Sequence, residues 1–299
     1  MREKLRVETK SILENHRGTG SYDCLVAFSG GKDSTFVLQL LTREYGVRCL
    51  ALTIDNGFLS EQALENCRIV TTALEVDFIL FKPSSRFMNN MYERSVSSAD
   101  VHAKSAIRRA SAICNSCINL INNIAVVTAL EKNIPTIAGG YLGGQVPKDA
   151  AVIRFDFATH LKAREATLKK YEETFGSAAR RYFDIDPRII ERSALPYLNV
   201  INPMLTLDVS ETDVLQSIRQ LGWTRPQDTG EQSSNCRLND LGIFIHHQQH
   251  GFNPYTAEIA EQVRYGLMSR DEGIRRMSFI PDAADVSEQA AQVGVELNA

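Results

Sequence analysis

From residue 21 onward, short apolar runs alternate with stretches whose apolar positions recur at helical spacing. Cys24-Leu25-Val26-Ala27-Phe28 is short enough to be a buried strand, and Phe36, Val37, Leu40 and Leu41 beyond it recur as on a helix. Val47 to Ile54 predicts a second strand, closed by Asp55-Asn56-Gly57. A helix follows from near Ser60, with Glu61 and Glu65 in its early turns. Phe78-Ile79-Leu80-Phe81 is a third strand, ended by Pro83. A polar helical stretch fills Ser84 to Ile113, and Cys114-Asn115-Ser116-Cys117 opens a helix that runs to about Lys132. Pro135-Thr136-Ile137-Ala138 is a fourth strand. Strand and helix alternating at this spacing imply a parallel sheet with right-handed crossovers.

Residues 1 to about 20 predict a short leading helix ending near Gly18 and Gly20. From about Asp149 the pattern turns to polar helices, with Ile201 to Leu205 as a final strand or its exit. Ser210-Glu211-Thr212-Asp213 starts another helix. The stretch from about Pro281 to Ala299, rich in Ala, Asp, Glu and Gln, is expected to fray. The expected architecture is α/β: a Rossmann-like parallel sheet with helices on both faces and a C-terminal helical extension. Its parts are an N-terminal helix at 1–20, the α/β domain at 21–207, and the extension at 208–299 carrying Cys236.

Composition narrows the classes. A chain of 299 residues with 43% apolar content can bury a large core, and a formal net charge of -3 with pI about 6.1 offers no global basic field for nucleic acid. The charged start Met1-Arg2-Glu3-Lys4-Leu5-Arg6 lacks the apolar core of a signal peptide. No run reaches the ~18 apolar residues of a membrane span, so a cytoplasmic protein without a membrane partner is expected. Six cysteines in this setting argue for core packing, metal ligation or sulfur chemistry rather than a disulfide framework.

The first strand-to-helix turn is Ser29-Gly30-Gly31-Lys32-Asp33-Ser34. A helix N-terminus there offers free N–H groups, two glycines let backbone approach an anion, and Lys32 adds positive charge. A Walker loop is excluded, because Asp33 follows Lys32 and Val26 stands where its first glycine belongs. No G-x-G-x-x-G opens the helix either. Ligands on parallel sheets sit at the carboxyl ends of strands, where Asp55 and the glycine-rich Gly139 to Gln145 also fall. Asp55 is a candidate for magnesium or ATP and also an ordinary turn former. Gly139 and Gly140 allow close approach to a nucleotide and serve equally as a flexible connection.

Cys24, Cys49 and Cys67 lie within expected strands and a helix and read as buried small hydrophobes. Cys114 and Cys117 stand i, i+3 at a helix entrance, where the helix dipole is expected to favour thiolate. Cys236 sits in a polar segment, Gln232-Ser233-Ser234-Asn235. Two neighbouring cysteines and a remote one suit zinc with a fourth ligand, a three-cysteine iron–sulfur cluster, or a persulfide pair. His102 reads as a surface residue. His246, His247 and His250 read as a polar helix face or substrate contact, with helical metal-ligand spacing between His246 and His250 and a general base among their candidate roles.

The hexapeptide SGGKDS after a strand resembles the signature of the PP-loop ATP pyrophosphatases, adenine nucleotide alpha-hydrolase-like enzymes whose loop grips the pyrophosphate leaving ATP. Followed about 80 residues later by C-x-x-C and roughly 120 further on by another cysteine, it looks like the PP-loop tRNA thiolation enzymes of the 2-thiocytidine and 2-thiouridine type. That resemblance implies an enzyme using ATP and magnesium, with Cys114, Cys117 and Cys236 as ligands of a 4Fe-4S cluster that carries sulfur. It further implies that Ser29, Gly30, Gly31 and Ser34 hold pyrophosphate, Lys32 offsets its charge, Asp33 or Asp55 positions magnesium, and Gly139 and Gly140 border the nucleotide. The implied partners are a sulfur or ammonia donor protein and a tRNA or small-molecule acceptor, in a chain that is free to form a homodimer. Tyr22 to Val26, Asn133-Ile134-Pro135 and Gly266 to Glu272 are similar to the N-acetyl sugar amidotransferases, which implies ammonia as nucleophile. A non-catalytic ATP-binding module is the third alternative.

Overall fold

The computed structural model describes residues 2–97 and 101–297. Met1 and residues 298–299, at the ends of the expected leading helix and fraying tail, lie outside the described residues.

Helix α1 (Arg2–Asn15) precedes β1 (Cys24–Ala27), α2 (Lys32–Gln39), β2 (Cys49–Ile54), α3 (Glu61–Ala73) and β3 (Asp77–Phe81). Next come α4 (Ser85–Ser97), the single-turn α5 (Lys104–Ile107), α6 (Ala112–Glu131) and β4 (Thr136–Ala138). The chain continues through β5 (Val152–Phe155), α7 (Phe157–Phe175), α8 (Arg180–Phe183), α9 (Pro187–Arg192) and β6 (Leu198–Ile201). It ends with α10 (Glu211–Arg219), α11 (Asn239–His250), α12 (Thr256–Arg264), α13 (Arg270–Ser278) and α14 (Ser287–Val293).

The strands form one sheet in the order β3-β2-β1-β4-β6-β5. All neighbours pair in parallel except β5, which runs antiparallel to β6. The strand order reverses beside β1, and at such a switch the carboxyl ends of the flanking strands open a crevice. Strand alternation then sorts the apolar side chains between two cores. Leu25, Leu50, Leu52, Ile137 and Leu198 face one, filled by Tyr92, Met88, Met91 and Leu120 from α4 and α6. Cys24, Val26, Ala51, Ala138 and Ile201 face the other, filled by Val37 and Leu41, by Val214 and Ile218 of α10, and by Trp223. A sheet covered on both faces explains why its central strands read as continuous apolar runs.

Two expectations change, at β5 and at the C-terminal stretch, and two others are sharpened. Residues 152–155, expected among polar helices, form the edge strand β5, held to β6 by Val152–Ile201 and Ile153–Val200 pairing. The last strand is Leu198–Ile201, and Pro203–Thr206 beyond it is a 3-10 turn. The C-terminal stretch docks instead of fraying, because Val286, Ala290 and Val293 bury in the first core and Asn89 Nδ2 donates to the Gln292 carbonyl at 3.1 Å. Finally, α6 is 20 residues long and apolar enough, by length and composition, to cross a membrane. Its Leu120, Ala125, Ala129 and Leu130 belong to the first core.

Candidate active site

The loop from Ser29 to Ser34 holds its shape through glycine and its own hydroxyls. Gly30 has φ +70°, and a side chain there would collide with the Ala63 carbonyl oxygen of α3. The Gly30 carbonyl accepts from Trp223 Nε1 at 2.8 Å and from Asn66 Nδ2 at 3.4 Å. Ser34 Oγ accepts from Ser29 N at 3.2 Å and donates to the Gly31 carbonyl at 3.1 Å. Gly31 caps α2 without a side chain, and the first helical N–H, Lys32 N, donates 3.0 Å to Ser234 Oγ. Lys32 Nζ donates to both Asp33 carboxylate oxygens, at 3.0 and 2.8 Å. Every one of these loop donors already has a partner, so an incoming anion exchanges contacts.

Gly140 lies against this turn: a side chain there would stand 3.0 Å from Ser34 N and 3.1 Å from Ser34 Cα. At Gly139 the obstacle would be Asn202 Oδ1, 2.7 Å away. The glycine pair thus lets the exit of β4 press on the start of α2. Asp55 ends β2 elsewhere on the same edge, accepting from Gly57 N at 2.9 Å and pairing with Lys82 Nζ at 2.9 Å.

Lys32 and Asp33 form one wall of a cavity of about 1050 Å³, counting its open mouth. The opposite wall comes from the C-terminal helices and includes Glu211, Glu258 and Arg276; Asp55 does not line it. Burial works against the Lys32 charge, yet Asp33, Glu211 and Glu258 raise its pKa. Glu258 is 8% exposed and accepts from Gln145 Nε2 at 2.7 Å and Gln262 Nε2 at 3.1 Å. Burial pushes its carboxyl up to about 7, against the opposing pull of Lys32. Burial also opposes the charge of Glu211, but Lys32 and the Arg276 guanidinium at 2.9 Å hold its pKa below the usual range. Glu211 stood in the sequence as a first-turn acid of an expected helix. Nothing in the pattern pointed to Glu258.

Near the loop the structure brings the neighbouring pair Cys114 and Cys117 together with the sequence-distant Cys236. Cys114 and Cys117 occupy the first turns of α6, whose N-cap Ser111 accepts from Cys114 N at 3.2 Å. Cys236 comes in on an extended segment: Leu59 bridges it antiparallel, Ser60 N donates to the Asn235 carbonyl and Arg237 N to the Phe58 carbonyl, each at 2.9 Å. Asn56 Nδ2 donates to Cys117 Sγ and Cys236 Sγ, both at 3.6 Å, which bounds the separation of the two sulfurs at twice that distance. Tyr92 Oη donates to Cys117 Sγ at 3.7 Å. Tyr92, expected on a polar helical stretch with room for substrate contacts, is instead fully buried against these sulfurs, and Asn56, expected only in the turn that closes β2, joins it there. Cys24, Cys49 and Cys67 are buried away in packing roles.

The expected thiolate-favouring effect of the α6 dipole is overturned. Burial pushes Cys114 up to about 11 and Cys236 up to about 12, and it raises Cys117 as well. Mutual repulsion adds to the rise at Cys114 and Cys236. Desolvation costs an ion more than a helix terminus returns. Among the described residues no group of three His, Cys, Asp or Glu side chains closes tightly enough to hold a single metal ion. Three thiols are the donor type a polynuclear cluster takes, and the Asn56 amide and Tyr92 hydroxyl aimed at two of the sulfurs suit thiolate charge.

The histidines separate from both groups. His246 is 1% exposed, and neither ring nitrogen has a hydrogen-bond partner among the described residues. It packs against Phe252, with ring centroids 4.7 Å apart, and against the exposed His250 at 4.6 Å. It therefore belongs to the buried face of α11 and not to a polar one. His102 is half-buried, not a surface residue, with Nε2 2.8 Å from Ser116 Oγ and a pKa lowered by burial to about 4.

No family model matches the chain. An uncharacterized protein of Methanocaldococcus jannaschii is 25% identical over 297 residues, spanning 99% of this chain and 87% of the relative. Among solved structures, an NMN synthetase from Francisella tularensis gives a TM-score of 0.42 at 10% identity, with 100% of this chain and 98% of that one covered. A U34-tRNA thiolase from Methanococcus maripaludis with its 4Fe-4S cluster gives 0.39 at 13% identity, covering 99% and 89%. An NH3-dependent NAD synthetase from Campylobacter jejuni gives 0.40 at 12%, covering 100% and 99%.

Proposed function

We propose that this chain is an ATP-dependent, AMP- and pyrophosphate-forming sulfur transferase of the PP-loop kind, acting in the cytoplasm on a carbonyl of a tRNA base or small molecule. The observation that supports it is the meeting, at one edge of the sheet, of the phosphate loop with the Cys114–Cys117 pair and the remote Cys236, the Ser234–Cys236 segment touching both.

ATP seats its phosphates on Gly30, Gly31 and the N–H end of α2. Lys32 leaves Asp33 for the phosphate oxygens and offsets the charge that grows as pyrophosphate departs. Asp33, once freed, faces magnesium; Asp55 does so only by exchanging Lys82 for the cation. Attack of the acceptor oxygen on the α-phosphorus forms the O-adenylate, so AMP becomes the leaving group. Ser29 and Ser34 hold the hydroxyl network under the loop, and Gly139 and Gly140 bring β4 close to the nucleotide. A 4Fe-4S cluster, held by Cys114, Cys117 and Cys236, would supply the sulfur that replaces oxygen. Asn56 and Tyr92 orient the sulfur atoms of Cys117 and Cys236.

The test is anaerobic purification with iron and acid-labile sulfide measured beside AMP release. Iron and sulfide in equal amounts that vanish in Cys236→Ala are expected. AMP release with ammonia in a chain that binds no iron on reconstitution would replace sulfur transfer by amide transfer, and ATP binding without pyrophosphate release would leave a binding module.

A further inference from the structure

We propose that Ser234 couples the phosphate loop to Cys236, so that an anion seated on the loop frees the segment that carries the third thiol. This rests on the proposed function, since it assumes that the loop takes phosphate.

The Lys32 N–H is the group a helix start offers to an anion, and Ser234 Oγ occupies it at 3.0 Å. One N–H makes one strong hydrogen bond, and a charged phosphate oxygen is a better acceptor than a neutral hydroxyl. The two therefore compete. Ser234 also fills the space above the loop: a side chain on Gly31 would meet Ser234 Oγ at 3.0 Å and Asn235 Oδ1 at 3.3 Å. The serine hydroxyl stands where a phosphate oxygen must stand.

Displacing Ser234 moves more than one side chain. Ser233 Oγ accepts from Asn235 N at 3.3 Å and from Cys236 N at 3.0 Å, which ties residues 233–236 into a single turn. That turn is pinned to the exit of β2 by the Ser60 N–Asn235 O and Arg237 N–Phe58 O bonds. Cys236 Sγ takes its hydrogen bond from Asn56 at the same exit. When the hydroxyl is lifted from Lys32, the strain falls on those two backbone bonds and on the Asn56–Cys236 contact. Nucleotide occupancy thus sets how firmly Cys236 is held, and loss of pyrophosphate lets Ser234 return.

The experiment measures hydrogen exchange of the full-length protein, as purified, with and without saturating inorganic pyrophosphate, while calorimetry reports binding. Peptides covering residues 58–60 and 233–237 are expected to exchange about fivefold faster with pyrophosphate, as loss of one hydrogen bond gives. Ser234→Ala is expected to bind pyrophosphate, to exchange at the fast rate without it, and to show no further response. Exchange that stays unchanged or slows in wild type while calorimetry shows binding would overturn the coupling alone. If neither pyrophosphate nor ATP binds, the proposed function falls and takes the coupling with it.

Discussion

The phosphate loop and the thiol group lie at one edge of one sheet, yet they are built in opposite ways. The loop is six consecutive residues between β1 and α2, and its hydrogen bonds close mostly upon itself. The thiols come from positions 114, 117 and 236, and two of them, Cys117 and Cys236, are held by Asn56 and Tyr92 from still other segments. A local motif draws its shape from backbone preference, whereas an assembled one depends on whichever elements pack around it. Damage to the first should change chemistry, and damage to the second should change what is bound.

The sharpest way to separate the two is Lys32→Ala. If Lys32 has the role proposed for it against the leaving pyrophosphate, removing its charge should lower AMP release about 10²–10³-fold. Iron per chain, measured after anaerobic purification, should stay the same, and a parallel loss of iron would join the two regions into one unit.

A smaller effect comes from Glu258, across the cavity from Lys32. Its folded pKa of about 7 lies above the ordinary 4.5, so the folded chain holds a proton that the unfolded chain has released. The stabilisation is complete below about 4.5 and is lost as pH rises through about 7. It amounts to no more than about 3 kcal/mol. Glu258→Gln cannot titrate, so the fall in Tm between about pH 5 and about pH 8 should shrink by several degrees. An unchanged fall would mean that Glu258 is ionised in the fold.

Asn56→Ala should have the smallest effect. It removes both hydrogen bonds to sulfur and the turn bond from Phe58 N to Asn56 Oδ1 at 2.9 Å, for a loss of about 1–2 kcal/mol in urea denaturation. Pyrophosphate binding should survive it while iron retention weakens.

The same contrast explains what the sequence made legible. The strand, loop and helix around Lys32 were readable because Gly30 and the apolar runs act within a few residues of themselves. The thiol trio was visible as spacing, but its protonation was misread, since a dipole is local and burial is not. Strand β5 went unseen because Val152 to Phe155 has one neighbouring strand and two exposed residues, too little apolar pattern to stand out of a polar stretch. Helix α14 hides for the opposite reason: its small Ala290 and Val293 matter only because α4 leaves a place for them. Glu258 gives no sign in its own neighbourhood, because the Gly144–Gln145 turn that positions it lies more than a hundred residues earlier.

The wide spacing of the cysteines also gives the protein a history during its synthesis. Cys114 and Cys117 emerge from the ribosome more than a hundred residues before Cys236, a delay on the order of ten seconds at about 5–20 residues per second. Until the later segment arrives and pairs with Leu59, the nascent chain presents a bare pair of thiols in the first turns of α6. The interval is one in which an oxidant reaching the pair would find no third thiol beside it.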